Sequence, residues 1–467
     1  MEHIREYCGI FGVYGHKEAS RLTWLGLYAL QHRGDEGAGI VSGDGRTLYQ
    51  RKGMGLVAEV FPGAEALEPL KGHLAIGHTR YSTTGASVLA NVQPFVANCK
   101  GELLAIAHNG NLTNTYTLRS QLEQTGSLFQ TTMDSEVIVH LAARSGGNSA
   151  VERIVDALHQ VRGAFSLLFA TRNRVIVARD PYGFRPLSLG RLDDAWVVAS
   201  ETCALDLIGA EYVRDIEPGE VVVMDEGGIM SFSPFPRPPH RAFCIFEYIY
   251  FSRPDSRIFG EYVDKTRRKL GKNLALEHPA DADIVISVPD SSNTAALGYA
   301  SRSGLKYEIG LIRNHYVGRT FIQPDQSIRD FKVKVKFNPV GGVLKDRRVV
   351  VVEDSIVRGT TMRQLVRMLR DAGAREVHVR VSCPPIRFPC FYGMDFQTHG
   401  ELIASKRSVE EIREFIGADS LGYLSKEGML DAMPGNPEDY CTACFDGEYP
   451  VEVEEETGKL RLEGTVL

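Results

Sequence analysis

Up to about residue 230 the chain alternates apolar and polar positions in short runs. Examples are "LLAIAH" (103–108), "FSLLFAT" (165–171), "RVIVARD" (174–180), "AWVVASE" (195–201) and "EVVVMDE" (220–226). Such runs predict half-buried strands, and "CGIFGVYG" (8–15) reads as a first, buried one. Between them "LTWLGLYALQHR" (22–33) and "SEVIVHLAARSG" (135–146) carry helical spacing. Many strands and few helices predict an α+β unit of stacked antiparallel sheets with helices outside. "MSFSPFPRPPHRAF" (230–243), with four prolines, then breaks the pattern and marks a boundary. Beyond it the rhythm becomes strand, loop, helix, in "ADIVISVPDSSNTAALGYASRSG" (282–304) and "RVVVVEDSIVRGTTMRQLVRMLRDAGAREVHVRVSC" (348–383). Continuous apolar strands followed by helices predict an α/β unit with a parallel sheet. No internal repeat or low-complexity tract occurs, and the chain closes on an acidic stretch expected to be loosely held.

Length and composition narrow the picture. At 467 residues the chain is too long for one core. Its 43% hydrophobic and 24% charged residues are ordinary for a water-exposed globular protein. A net charge of −6 argues against general nucleic-acid binding, and no apolar run is long enough for a membrane helix. The leader Met1–Tyr7 carries Glu2, His3, Arg5 and Glu6, which rules it out as a secretory signal. Eight cysteines in a chain of this length do not form a disulfide scaffold. A cytoplasmic, reducing compartment is expected, where clustered cysteines point to metal or catalysis.

The most specific motif is "VVVVEDSIVRGTT" (349–361). A buried strand delivers two acids, Glu353 and Asp354, to its carboxyl end, and a loop of hydroxyls and one glycine leads into a helix. Backbone N–H groups, hydroxyls and the helix dipole can cradle a phosphate there, and the acids can hold ribose hydroxyls or a metal. Neither a P-loop nor a dinucleotide GxGxxG fingerprint is present.

This segment resembles the type I phosphoribosyltransferases, which bind 5-phosphoribosyl 1-pyrophosphate (PRPP). The resemblance implies that Glu353 and Asp354 contact the ribose, and that Ser355, Arg358, Gly359, Thr360 and Thr361 line the 5′-phosphate site. "VPDSSN" (288–293) matches the family's pyrophosphate loop. Mg²⁺ is then expected on Ser291, Glu353 and Asp354, with Asp290 as a further candidate, because dense phosphate charge calls for a hard, oxygen-liganded ion. Glu-Asp replaces the two aspartates that many members carry. The polar stretch 312–339, with six Lys/Arg, reads beside such a site as a lid that excludes water. Arg319 and Lys332 are its candidates for stabilising the leaving group.

In the first half, "CGIFGVYG", "QHRGDEGAGI", "GHTRYSTTG", "HNGNLTN" and "TTMDSE" follow one another over residues 8–136, with "RDPYGFRPL" at 179–187. Taken singly, "HNGN" is a hairpin turn and the arginine a surface charge. Together they resemble the N-terminal-nucleophile glutamine amidotransferases, in which a cysteine freed by processing attacks glutamine's amide. Its own α-amino group, with a reference pKa of about 7.7–8.0, acts as the base. The resemblance makes Cys8 the nucleophile and Asn109 and the Gly110 N–H the oxyanion hole. Arg80 would take glutamine's α-carboxylate and Asp134 its α-ammonium. His32 and His78 read as structural.

Joined, the two resemblances span about residues 8 to 445. They imply an enzyme in which ammonia from glutamine crosses to the second site and displaces pyrophosphate from C1 of PRPP. The product would be 5-phosphoribosylamine, an intermediate of purine synthesis. Cys441 and Cys444 in "DYCTAC", with Cys244 and Cys390, complete four thiolates. They match the bacterial subgroup that carries a propeptide and a 4Fe–4S cluster. Ligand count alone also suits zinc, and Cys383 competes with Cys390 for the third place. Cys99 and Cys203 read as packed thiols. The expected organisation is a propeptide (1–7), a glutaminase domain (8–232), a Pro-rich linker (233–242), a phosphoribosyltransferase domain (243–445) and an acidic tail (446–467). The resemblance further implies a homotetramer and inhibition by purine nucleotides. A catalytically dead PRPP-binding regulator and an iron–sulfur redox protein are the alternative classes.

Overall fold

The computed structural model describes residues 8–82, 85–314, 336–396, 398–454 and 462. Arg319, Lys332, the leader and most of the tail lie outside these residues. Two antiparallel sheets build the first domain. One has seven strands, with Gly9–Tyr14 central between Ala195–Ala199 and Leu74–Arg80; the other has six, with Glu102–Leu112 beside Gly163–Ala170. Ile10, Val41 and Ile76 of the first sheet meet Ala105, Leu168 and Val222 of the second in a shared core. The outer face of Gly9–Tyr14 presents Phe11 and Val13 to helix Ala19–Ala29. Gly26 of that helix permits this approach, since a Cβ there would stand 2.4 Å from the Phe11 ring. Helices Ser135–Arg144 and Ala150–Leu158 cover the other outer face. Strands covered on both sides become apolar on both sides, as the run "GIFGVY" is.

A five-stranded, all-parallel sheet forms the second domain, in the order Lys306–Tyr307, Ile284–Ser287, Arg348–Glu353, Glu376–Val381, Ser420–Tyr423. Val349 to Val352 are completely buried in its centre. Helices Val263–Glu277 and Asn293–Ser303 pack backbone to backbone, because Gly271 and Gly298 carry no side chain at the crossing. The fold class expected from the strand patterns is therefore the one observed.

Two segments are more firmly seated than their composition suggests. In the Pro-rich stretch Phe235 is buried against His159 and Phe165, and the Ala242 N–H bonds to Tyr182 O at 2.9 Å. The start of the acidic tail is also docked. Tyr392 Oη donates to Val451 O at 2.6 Å and Thr113 Oγ1 to Glu452 O at 3.0 Å, and Tyr449 packs on Phe391. Backbone acceptors and the contacts of Tyr449 with the Phe391 and Tyr392 rings hold this stretch, which a count of acidic residues does not register.

Candidate active sites

Cys8 enters strand Gly9–Tyr14 in a buried position, its Sγ–H donating to Tyr81 O at 3.3 Å. Burial pushes the thiol up to about 11, against which a backbone hydrogen bond with Tyr81 and the Arg80 charge pull only partly. Its strand lies against Leu74–Arg80 with Gly9 opposite Thr79, so Arg80 ends the neighbouring strand beside the thiol. The Arg80 guanidinium is buried and donates to Ala86 O at 3.1 Å. Asn109 and Gly110 arrive from Glu102–Leu112 in the other sheet. Gly110 has φ +150°, and a Cβ would stand 2.1 Å from Ala164 O, so only glycine fits there. Asp134 precedes helix Ser135–Arg144; its carboxylate accepts the Leu112 N–H at 3.1 Å and faces His108 Nδ1 at 3.3 Å. Burial opposes its charge, but His108 and the backbone N–H groups hold it below the usual carboxylate range. Cys8, Arg80 and Asp134 are near enough for their charges to act on the thiol together. Such a set can bind an α-amino acid zwitterion beside a nucleophile.

His78 is buried, its Nε2 within 3.0 Å of His108 O, and burial pushes it down to about 3, so it is neutral at working pH. His32 Nε2 stands 2.7 Å from Glu201 Oε1, part of a buried ion network absent from the sequence reading. In it Arg33 pairs with Glu201 at 2.6 Å and Glu247 at 2.8 Å, and its Nε donates to Cys8 O at 3.3 Å. Arg185 adds a second cation on Glu247 at 3.3 Å. Nothing in sequence spacing signals this network, because its members come from four separate segments.

Glu353 ends its central strand and Asp354 follows, both buried. Ser291 Oγ donates to Asp354 Oδ2 at 2.5 Å, Ser355 Oγ to Oδ1 at 2.5 Å, and Ser292 Oγ to Glu353 Oε1 at 3.3 Å. The two loops picked from the sequence thus meet at one acid pair. Burial, and then the charge of Asp354, push the Glu353 carboxyl well above its ordinary range; burial also raises Asp354. Gly359 caps helix Thr360–Asp371 at φ +78°, putting Thr360 and Thr361 in the helix's first turn, where backbone N–H groups are open to an anion. Two expected contacts are engaged elsewhere: Arg358 pairs with Glu401 at 2.5 Å, and Asp290 with Arg313 at 2.6 Å. Arg313 went unnoticed as an individual residue in a basic stretch.

Cys244 and Cys441 face each other in the parallel pairing of Phe243–Cys244 with Tyr440–Cys441. Cys444 lies in helix Ala443–Asp446, and its carbonyl takes the Arg387 N–H at 3.0 Å, bringing the 383–390 segment alongside. All four thiols are unbridged, and burial followed by their mutual repulsion raises Cys441 and Cys444 well above the ordinary thiol range. Among the described residues no group of three or more His, Cys, Asp or Glu is arranged as a ready-made metal site. The chemistry of the donors nevertheless fits a thiolate-bound group, since four mutually repelling thiols, three buried and Cys441 half-buried, gain from a shared cation. Cys383 adds to the field on Cys444, and the nearby acid pair bears on Cys383 in turn. Cys99 and Cys203 are buried thiols of the first domain.

The two sites are joined by residues 391–395. Asn111 Nδ2 donates to Phe391 O at 2.9 Å, Arg185 Nη2 to Tyr392 O at 2.8 Å, and Tyr81 Oη to Asp395 Oδ2 at 2.7 Å.

Comparison with known proteins agrees with both halves. Residues 78–207 match the glutamine amidotransferase domain family. The amidophosphoribosyltransferase of Bacillus subtilis (strain 168) is 52% identical over 462 residues, covering 98% of this chain and 97% of that protein. Amidophosphoribosyltransferase 1, chloroplastic, of Arabidopsis thaliana is 53% identical over 453 residues, 97% of this chain and 80% of that one. Among solved structures, the B. subtilis glutamine PRPP amidotransferase complexed with ADP and GMP superposes with a TM-score of 0.91 at 52% identity, covering 97% of this chain and 99% of that one.

Proposed function

The chain belongs to the amidophosphoribosyltransferase family, and from that premise we propose which of its residues carry each half of the reaction. It is a glutamine-dependent PRPP transferase of purine biosynthesis: ammonia from glutamine replaces pyrophosphate at C1 of PRPP and gives 5-phosphoribosylamine.

At the first site Arg80 and Asp134 hold glutamine by its α-carboxylate and α-ammonium. Cys8 Sγ adds to the γ-carbonyl, and Asn109 with the Gly110 N–H receives the negative charge that develops on oxygen. Ammonia leaves with the proton the thiol gave up, and water then cleaves the thioester. A thiol raised to about 11 needs a nearby base, and its closest hydrogen-bond partner is the Tyr81 carbonyl, which cannot serve. The base is the α-amino group of Cys8 itself, freed by cleavage of the Tyr7–Cys8 bond; Met1–Tyr7 is then a propeptide. The proposed domain boundaries remain 8–232 for the glutaminase domain and 243–445 for the phosphoribosyltransferase domain.

At the second site Glu353 and Asp354 hold the ribose hydroxyls, and Ser355, Gly359, Thr360 and Thr361 the 5′-phosphate; Arg358 joins them once it leaves Glu401. Ser291, Glu353 and Asp354, with Asp290, offer Mg²⁺ an all-oxygen site whose charge would neutralise the pyrophosphate. Arg319 and Lys332 are assigned to the leaving group. Cys244, Cys390, Cys441 and Cys444 would hold a 4Fe–4S cluster, which ties the C-terminal segment to the domain. The unbridged cysteines fit a cytoplasmic, reducing compartment. No helix among the described residues is long and apolar enough to cross a membrane. A homotetramer is the expected assembly, and inhibition by purine nucleotides is supported by the relative complexed with ADP and GMP.

The observation that carries this two-site reading is the convergence of Arg80 and Asp134 on the Cys8 thiol in one domain, and of Ser291, Ser292 and Ser355 on the acid pair in the other. Substituting Cys8→Ala tests it. Glutamine-dependent synthesis should vanish while ammonia-dependent synthesis persists; retention of glutamine use would refute the nucleophile.

A further inference from the structure

The nucleophile and the oxyanion residue come from different sheets, so something must fix one against the other. Ser200, which follows strand Ala195–Ala199, is completely buried between them. Its Oγ accepts the Ile10 N–H at 3.0 Å, and its own N–H donates to Ile10 O at 3.0 Å. It thereby clamps the strand two residues beyond Cys8. The same Oγ stands 3.4 Å from Asn109 Nδ2. Asn109 Oδ1, also buried, has no hydrogen-bond partner among the described residues.

That arrangement is poor chemistry on both counts. The carboxamide spends its donor on Ser200 at long range and leaves an acceptor desolvated and unpaired. Half a turn about χ2 exchanges the two atoms. Ser200 has one hydroxyl hydrogen, directed at 3.4 Å to Ile10 O or available to Asn109. Given to Asn109 Oδ1, it satisfies the acceptor and moves Nδ2 to the unpartnered place. An unpartnered donor there is what a forming oxyanion needs.

We propose that Ser200 is a positioning residue for the glutaminase half-reaction. Its hydroxyl donates to Asn109 Oδ1 in the competent state and so presents Nδ2 to the oxyanion. As Sγ bonds to the glutamine carbonyl carbon, the C=O π pair moves onto oxygen and the thiol proton passes to the Cys8 amine. The charge on oxygen then meets Nδ2 rather than Oδ1. The inference rests on the roles given above to Cys8 and Asn109.

The test compares Ser200→Ala, Ser200→Thr and Asn109→Ala in the full-length processed enzyme. Glutaminase kcat and KM are measured, with the inhibition constant of the γ-aldehyde analogue of glutamine, whose carbonyl adds the thiol reversibly as a hemithioacetal. Ser200→Ala should lower kcat about 10- to 100-fold and weaken the aldehyde by a like factor, less than or equal to the loss from Asn109→Ala. KM should stay within about threefold, ammonia-dependent synthesis should be unchanged, and Ser200→Thr should restore most of the loss. Unchanged kcat and aldehyde affinity in Ser200→Ala, with both lost in Asn109→Ala, would overturn the proposal while sparing the glutaminase reading. Unaffected glutaminase in Asn109→Ala would overturn that reading itself. A deficit shared by KM, ammonia-dependent synthesis and melting temperature, and not rescued by Thr, would make Ser200 a structural clamp only and also overturn the proposal. Should Ser200→Ala fail to fold, the kcat-to-KM split in Ser200→Cys, whose thiol is only a weak donor, decides.

Discussion

Tyr81 touches both halves of the enzyme: its carbonyl oxygen accepts the Cys8 thiol at 3.3 Å, and its hydroxyl donates to Asp395 Oδ2 of the second domain at 2.7 Å. One residue therefore couples the Cys8 thiol to the segment that carries Cys390. A hydrogen bond to a charged group contributes roughly 1.5–3 kcal/mol. Tyr81→Phe should lower glutamine-dependent kcat/KM about tenfold or more, with ammonia-dependent synthesis little changed. Asp395→Asn should do the same, and the double variant should be no worse than either, as a cycle of steady-state measurements would reveal.

The raised acid pair predicts proton release on substrate binding. Glu353 sits well above its ordinary 4.5 without ligand. Ribose hydroxyls and Mg²⁺ favour the ionised form and bring it down. The complex then binds fewer protons than the free enzyme, so PRPP affinity rises with pH between those two values and falls on acidification. Calorimetry of PRPP–Mg²⁺ binding in buffers of different ionisation enthalpy should detect the released proton. Asp354→Ala, which removes its partner's charge, should abolish both synthetic activities.

Arg33 neutralises two buried carboxylates and anchors the Cys8 carbonyl. Burial works against Glu201 and Glu247, but His32, Arg33 and Arg185 hold both below the usual range. Their contribution to stability is complete above the unfolded glutamate value and is lost as pH falls toward the folded values. Arg33→Ala leaves the acids unpaired and should cost about 3–5 kcal/mol. Its melting temperature should also fall less on acidification below about pH 4.5 than that of the parent, because the acid-sensitive contribution is gone.

The four thiols and Cys383 are separable by metal content. Cys244→Ser, Cys390→Ser, Cys441→Ser and Cys444→Ser should each lose the iron and the visible absorbance of the purified protein. Cys383→Ser should retain both. Zinc in place of iron in the anaerobically purified parent would reject the cluster, and retained iron in Cys390→Ser with loss in Cys383→Ser would exchange those two residues.

Local order in the chain was enough for much of this. The strand "VVVVED" with its hydroxyl loop, the dipeptide Asn109–Gly110 and the alternating runs each write their chemistry into neighbouring residues. Strand and helix periods, turn residues and contiguous motifs therefore revealed the fold class and the candidate sites. The partners of those residues were not legible. Arg33 finds Glu201 and Glu247, Tyr81 finds Asp395, and Ser200 bridges Ile10 to Asn109 across long stretches of chain. No spacing encodes such pairs, because they arise only when two sheets stack and the second domain closes against them. Arg358 and Asp290 show the same limit: the motifs put them in the two loops that meet at Glu353 and Asp354, but Glu401 and Arg313 hold them in this fold. The sequence by itself determined which groups are candidates for the chemistry. The tertiary structure decided what holds them, because burial makes every buried polar atom and charge require a partner, and only the assembled fold supplies one.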